Sequence, residues 1–191
     1  MGDDAPDREL VRRSAEGDRF AFAQLVRRHE RRVYNLAYRM LGREEDARDA
    51  TQDAFLTAMR KLSSFRGDAA FTTWMHRVTV NTCYDLLRKR KREPTFELPD
   101  EPDAGPRHAD HAETTAISVD VRRALLEVPF EFRAPLVMHD VQDLPYDEIA
   151  EILGVPVGTV KSRIHRGRVA LAAALGERFG PSRPSEEQTL R

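Results

Sequence analysis

The chain has one cysteine, no long apolar run and almost no net charge, and each shortage excludes something. The single thiol, Cys83, cannot form an internal disulfide or build a cysteine-ligated zinc site, since both need at least two thiols. No apolar stretch approaches the roughly 20 residues that span a bilayer. The first residues, Met1 to Asp4, lack the basic and then apolar pattern of a signal peptide. We therefore expect a cytoplasmic protein without membrane insertion, in which Cys83 is a core residue.

The near absence of net charge does not exclude a nucleic-acid partner. The formal net charge is -1 over 191 residues, but the charges are segregated along the chain. Residues 88–92 are all arginine or lysine, whereas residues 97–113 carry six acids and one arginine. Because local charge governs binding, the basic run keeps nucleic acid among the candidate partners.

Strand-like alternation and internal repeats are also missing, and helical periodicity is present instead. The pattern predicts helices over 6–16, 19–41, 44–62 and 71–91, with Asp18 capping the second helix and Gly42 ending it. The length admits one large domain or two small ones. We expect an all-α fold.

A segment poor in large apolar residues divides the chain. Residues 94–115 contain four prolines, a glycine and many acids, so they cannot bury a core, and we expect a flexible acidic linker. The predicted domains are then a helical domain at 6–93 and a second helical domain at 116–176. Residues 177–191 are expected to form a flexible tail.

The second domain contains a predicted helix-turn-helix. A short helix over 144–153 stops at Gly154, and the helix that follows places Val160 and Ile164 on one face, pointing inward. A charged hairpin with a solvated surface is the alternative, which the matching lengths, turn and inward pair disfavour. The outward face and its flanks carry small, hydroxyl and basic residues, which suit the major groove of DNA: Gly158, Thr159, Lys161, Ser162, Arg163, His165 and Arg166.

Two surfaces of the first domain remain open to more than one interpretation. Phe65, Trp74 and Asn81 precede the basic run and suit melted DNA, but the two aromatic residues could equally be ordinary core. An acidic stripe at helical spacing is either solvated surface or a docking site for a basic partner helix: Asp46, Asp49, Gln52 and Asp53.

Three strings in this order resemble the extracytoplasmic-function sigma factors, bacterial initiation factors of the sigma-70 family. Residues 49–56 (DATQDAFL) look like that family's polymerase-docking helix. Residues 65–68 (FRGD), with Phe71, Trp74 and residues 80–82, look like its promoter-melting segment. Residues 146–166 look like its reader of the upstream promoter element, and the likeness extends from about Leu10 to Leu175.

The resemblance implies a promoter-specificity subunit that binds core RNA polymerase and melts DNA at promoters of stress or development genes. The acidic stripe would face the clamp helices of the polymerase β′ subunit. The helix-turn-helix would meet the minus-35 element, with Thr159 and Arg163 on phosphate and Lys161, Ser162, His165 and Arg166 on bases. The residues assigned to the minus-10 element are Phe65, Arg66, Trp74, Arg77, Asn81 and Arg88; Phe65 and Asn81 would line a pocket for a flipped base.

An anti-sigma protein is a common partner in this family, and the linker would thread through polymerase near the RNA path. Arg48 departs from the family, which often has an acid there, and His165 stands at a variable position.

A free-standing helix-turn-helix regulator is the alternative function, but it leaves Trp74 and the acidic stripe unused. We expect no enzyme, cofactor or metal; His108, Asp110 and His111 could hold a metal only on a fixed backbone.

Overall fold

The structure is a computed structural model, and it describes residues 6–65, 67, 70–92 and 112–179. Over these residues the chain is helical, with no strand. None of the described helices is both long and apolar enough to cross a membrane. The helices are α1 (Asp7–Ala15), α2 (Arg19–Leu41), α3 (Glu44–Lys61), α4 (Phe71–Arg92), α5 (Ala112–Glu127), α6 (Phe130–Asp140), α7 (Tyr146–Leu153) and α8 (Val157–Phe179), with a short 3-10 turn at Leu62–Ser64.

Local chemistry sets the ends of α2 as the sequence predicts. The Asp18 carboxylate accepts the N–H groups of Phe20 and Ala21 at 2.9 and 3.1 Å, which would otherwise lack a partner in the first turn. Gly42 ends the helix at φ 80°, a left-handed conformation that glycine adopts without steric cost, and its N–H donates to the Tyr38 carbonyl. Both predicted helix ends are confirmed.

Helices α1 to α4 form the first unit around one apolar cluster. Leu10, Leu25 and Met75, from three different helices, are buried in it. The inward face of α3 is lined with alanine, and Ala54 and Ala58 are fully buried. Because alanine is small, α2 and α4 can approach α3 closely, which fixes the position of α4.

The second unit consists of α5 to α8, and its ends differ from the predicted ones. Helix α5 begins at Ala112, within the segment predicted as linker, and α8 continues past Gly176 to Phe179. The rest of the predicted linker, residues 94–111, and residues 180–191 of the predicted tail lie outside the described residues, as does the candidate metal set at 108–111.

The two units share a second apolar cluster. It joins Met40 and Val80 of the first unit to Val137 and Ile149 of the second. Arg133 of α6 lies buried at this junction and donates to backbone carbonyls of both units: Met40, Leu126 and Val128. Burial lowers the pKa of Arg133 to about 10. The second unit is therefore packed directly on α2 and α4.

Candidate nucleic-acid and polymerase interfaces

The helix-turn-helix is formed by α7, a tight turn and α8. Gly154 ends α7 at φ 65°, and the Val155 N–H donates to the Ala150 carbonyl across the turn. Val160 and Ile164 of α8 are 0% and 2% exposed, which confirms the predicted inward pair. Gly167 lies so close to α6 that an added Cβ would be 3.0 Å from the Phe132 carbonyl oxygen. The packing of α8 thus fixes which face it presents to solvent.

That outer face carries most of the residues predicted to contact the minus-35 element. Lys161, Ser162, His165 and Arg166 are exposed, while Thr159 and Arg163 are half-buried on its flanks. Lys161 lies over the Tyr146 ring at 5.7 Å from its centroid, and Arg166 lies over the Phe132 ring at 5.8 Å. Cation–π contacts of this kind restrain long side chains. The structure brings all six candidates onto one end of α8.

An aromatic cluster lies where the loop after α3 meets α4. The Phe65 and Trp74 rings are 5.2 Å apart, and Phe71 packs against both at 6.3 and 5.8 Å. Phe71 is buried, whereas Phe65 and Trp74 are only half-buried. The two rings therefore support the core and also present an edge to solvent, and their binding to melted DNA stays a prediction. Arg66 lies outside the described residues.

Trp74, Arg77, Asn81 and Arg88 follow one stripe of α4. Their spacing of three, four and seven residues keeps them on one side of the helix. Asn81 and Arg88 are exposed. The structure thus brings Trp74 and Phe65 together, but Asn81 lies two helical turns from Trp74, roughly 10 Å along the axis.

The Arg77 guanidinium is engaged by the second unit. It donates to the carbonyls of Glu151 and Ile152 at the end of α7, at 3.2 Å for Ile152. One turn earlier, the Thr73 hydroxyl donates to the Glu148 carboxylate at 2.5 Å. Helix α7 therefore covers part of the α4 surface predicted to bind the minus-10 element.

The acidic stripe on α3 divides into two parts. Asp49, Gln52 and Asp53 are exposed. Asp46 is directed at α4 instead, where its Oδ1 accepts from Arg90 at 2.5 Å. Asp46 thus joins α3 to α4, and the three exposed residues form the surface available to a partner.

The sequence-based site list omits two apolar side chains beside this stripe. Leu56 and Met59 of α3 are 37% and 53% exposed. Leu56 lies three residues after Asp53, on the same side of the helix. The sequence does contain a signal for them, because an apolar residue on the polar side of an amphipathic helix indicates a contact surface. These side chains give the stripe an apolar component that a partner helix could cover.

Two buried titratable groups, Cys83 and His76, have shifted pKa values, and the described residues form no metal-binding group. They contain no group of three or more histidine, cysteine, aspartate and glutamate residues placed to hold a metal. Cys83 is fully buried, which confirms its assignment to the core, and this burial raises the pKa of its thiol to about 12. Burial lowers the pKa of His76 to about 4, so the ring is neutral at physiological pH.

Comparison with known proteins gives the same picture over nearly the whole chain. Residues 25–93 match the family Sigma-70 region 2, and residues 118–171 match Sigma-70, region 4. The chain is 45% identical over 170 residues to the ECF RNA polymerase sigma factor SigM of Mycobacterium tuberculosis H37Rv, covering 89% of this chain and 85% of that protein. It is 35% identical over 182 residues to the ECF RNA polymerase sigma-E factor of Escherichia coli K12, covering 90% and 95%.

Among solved structures, CnrH in complex with the cytosolic domain of CnrY is similar to this chain with a TM-score of 0.68 at 27% identity. The match covers 90% of this chain and 97% of CnrH. The sequence matches and the all-helical fold lead to one assignment. The chain belongs to the extracytoplasmic-function sigma factors of the sigma-70 family, the promoter-recognising subunits of bacterial RNA polymerase.

Proposed function

We propose that the exposed end of α8 reads the minus-35 element in the major groove. In the same proposal, α4 and the aromatic cluster bind the melted minus-10 element. Helix α3 docks on the β′ clamp helices of core polymerase. The observation that carries the first of these assignments is the burial of Val160 and Ile164. It leaves Arg166 and its neighbours exposed on the opposite face of α8. The division of the chain into these two units, α1 to α4 and α5 to α8, belongs to the same proposal.

The candidate residues on α8 fall into two groups, those that reach the base edges and those that reach only the DNA backbone. Arg166 and Lys161 are long and exposed, so they reach base edges, and arginine binds guanine through two parallel hydrogen bonds. Ser162 and His165 lie between them on the same face. Thr159 and Arg163 are half-buried on the flanks, where the DNA backbone passes, and their role is to hold phosphate.

The aromatic cluster supplies the binding energy for an opened strand. Exposed edges of Phe65 and Trp74 stack on unpaired bases, which contributes about 1–3 kcal/mol per base. Asn81 and Arg88, farther along α4, contact the adjoining nucleotides. Arg77 joins them less readily, because its Nε and Nη2 groups donate to α7 carbonyls in the packed arrangement. A minus-10 contact by Arg77 therefore competes with this packing.

Asp49, Gln52 and Asp53 supply the charge of the polymerase-docking surface, and Leu56 supplies apolar area beside it. A stand-alone helix-turn-helix regulator would have no use for this surface.

We propose that the chain catalyses no reaction of its own. A sigma factor of similar fold, RpoE of Bartonella quintana, was solved in complex with the anti-sigma factor NepR, and we also propose that an anti-sigma protein binds this chain.

The base-reading role is tested by Arg166→Ala measured against a set of promoters changed one base pair at a time. We expect holoenzyme to lose about 1–3 kcal/mol at one position of the minus-35 element, and its specificity there to relax. Arg163→Ala is the matched control, since loss of a phosphate contact weakens binding evenly across the set. An Arg166→Ala profile that runs parallel to that of the unaltered chain would contradict the assignment.

A further inference from the structure

Both long cations of the α8 reading face lie over aromatic rings that belong to other helices. The Lys161 ammonium is 5.7 Å from the ring centroid of Tyr146, the first residue of α7. The Arg166 guanidinium is 5.8 Å from the ring centroid of Phe132, in the first turn of α6. Both distances fall within the roughly 6 Å over which the face of a ring attracts a cation. These two supporting rings, Tyr146 and Phe132, are not among the residues assigned to DNA.

Tyr146 is itself held in place by α6. Its ring stacks on the His139 ring, with 4.4 Å between the centroids and 35° between the planes. The His139 Nδ1 donates to the Leu144 carbonyl at 2.9 Å, which fixes the imidazole. The neighbouring Asp140 carboxylate accepts two hydrogen bonds from Arg168 of α8, at 2.6 and 3.0 Å. Tyr146 is thus joined through α6 to the helix that carries the reading face.

Phe132 lies at a close approach of α6 and α8. A Cβ added to Gly167, the residue after Arg166, would lie 3.0 Å from the Phe132 carbonyl oxygen and 3.3 Å from the Leu136 Cβ. Such a contact with a backbone oxygen is tighter than side chains normally make, so the glycine allows the two helices to come this close. The position of the Phe132 ring relative to α8 is fixed by this packing.

The supporting rings restrict the conformations of the two cations without neutralising them. Lysine and arginine side chains have many rotamers, and this freedom is lost when the side chain is fixed on a base. Lys161 and Arg166 are exposed, and within the described parts of the chain neither has a carboxylate within 4.0 Å. The ring is therefore the contact that directs each cation. A side chain that is directed before binding loses less entropy on its base, and it adapts less readily to a wrong one.

We propose that Tyr146 and Phe132 are positioning residues of the minus-35 readout, which direct Lys161 and Arg166 at their base pairs and so set the stringency of promoter choice. The proposal rests on the proposed function of α8 and adds two side chains that act without contacting DNA. Because the two cations are five residues apart, about 7.5 Å along α8, they reach different base pairs. The loss of one ring is therefore expected to affect one base pair only.

The test is binding of holoenzyme, at one fixed salt concentration, to promoter fragments in which each base pair of the minus-35 element is changed in turn. Lys161→Ala and Arg166→Ala locate the two base pairs. For Tyr146→Leu we expect discrimination at the Lys161 base pair to fall about 2- to 5-fold, the effect of one exposed cation–π contact. Phe132→Leu is expected to have the same effect at the Arg166 base pair. Each variant is the matched control for the other, because a general distortion of α8 would lower discrimination at both positions in both.

Two further variants separate positioning from other roles of Tyr146. Tyr146→Phe keeps the ring and removes the hydroxyl, so it should retain the discrimination of the unaltered chain. In a Lys161→Ala background, Tyr146→Leu should cause no further loss at that base pair, since its effect passes through Lys161. Discrimination is a ratio of two affinities of the same variant, so a smaller folded fraction does not alter it.

An equal loss from Tyr146→Leu with and without Lys161 would show a general structural role and overturn the proposal. A loss in Tyr146→Phe that is even across the fragments would identify the hydroxyl as a phosphate contact and would also overturn it. If Lys161→Ala and Arg166→Ala changed discrimination at no base pair, the proposed function of α8 would be wrong, and this inference with it. An effect of those two variants without one from Tyr146→Leu or Phe132→Leu would overturn this inference alone.

Discussion

Asp53→Lys is expected to raise the Kd of the chain for core RNA polymerase roughly 30-fold or more, corresponding to about 2 kcal/mol. Asp53 is exposed at the centre of the proposed docking surface, between Asp49 and Leu56 on one side of α3. Reversing its charge removes an attraction and places a cation against a basic partner helix, and like charges across an interface cost several kcal/mol. The measurement is fluorescence anisotropy of labelled chain titrated with core enzyme.

Glu131→Lys is the control for this experiment, because it reverses an exposed charge on α6, away from α3. It should leave the Kd for core enzyme within twofold of the unaltered value. If Asp53→Lys and Glu131→Lys behaved alike, the acidic side of α3 would be solvated surface and the docking assignment would be wrong.

Trp74→Ala is expected to leave holoenzyme bound to duplex promoter while strand opening falls by a factor of roughly 5 to 150. That range follows from the loss of one stacking contact of about 1–3 kcal/mol. Trp74 is half-buried against Phe65 and Phe71, so its ring edge is available to an unpaired base. Permanganate reactivity of thymines in the minus-10 region measures the opening, and a gel shift measures duplex binding.

Trp74→Phe separates the loss of stacking from the loss of core packing, because it keeps an aromatic ring in the cluster. It should retain most of the permanganate signal. An undiminished signal in Trp74→Ala would show that the ring does not hold the melted strand. Equal thermal stability of the two variants would show that unfolding does not account for the difference between them.

The elements of this fold could be predicted from the sequence because their signals are local. Asp18, Gly42 and Gly154 end or begin helices through contacts within a few residues, and each lies where the sequence places it. The inward pair of α8 follows from helical spacing alone. Helical periodicity also predicts the class of the fold, since the alternation that strands need is missing.

The packing between the units could not be read in the same way, because it depends on contacts between residues far apart in the chain. In the sequence, nothing distinguishes Arg77 from the other basic residues of α4, or Asp46 from the other acidic residues of α3. The structure shows one engaged with α7 and the other with Arg90.

The central claim is that this chain directs core RNA polymerase to promoters that it reads with α8 and opens at the aromatic cluster. Run-off transcription tests it most directly, with purified core enzyme and a library of bacterial promoter fragments. We predict that the chain produces start sites absent with core alone, and that the template positions upstream of those starts share a two-part sequence. If polymerase bound the chain and no new start emerged on any fragment, the claim would be contradicted.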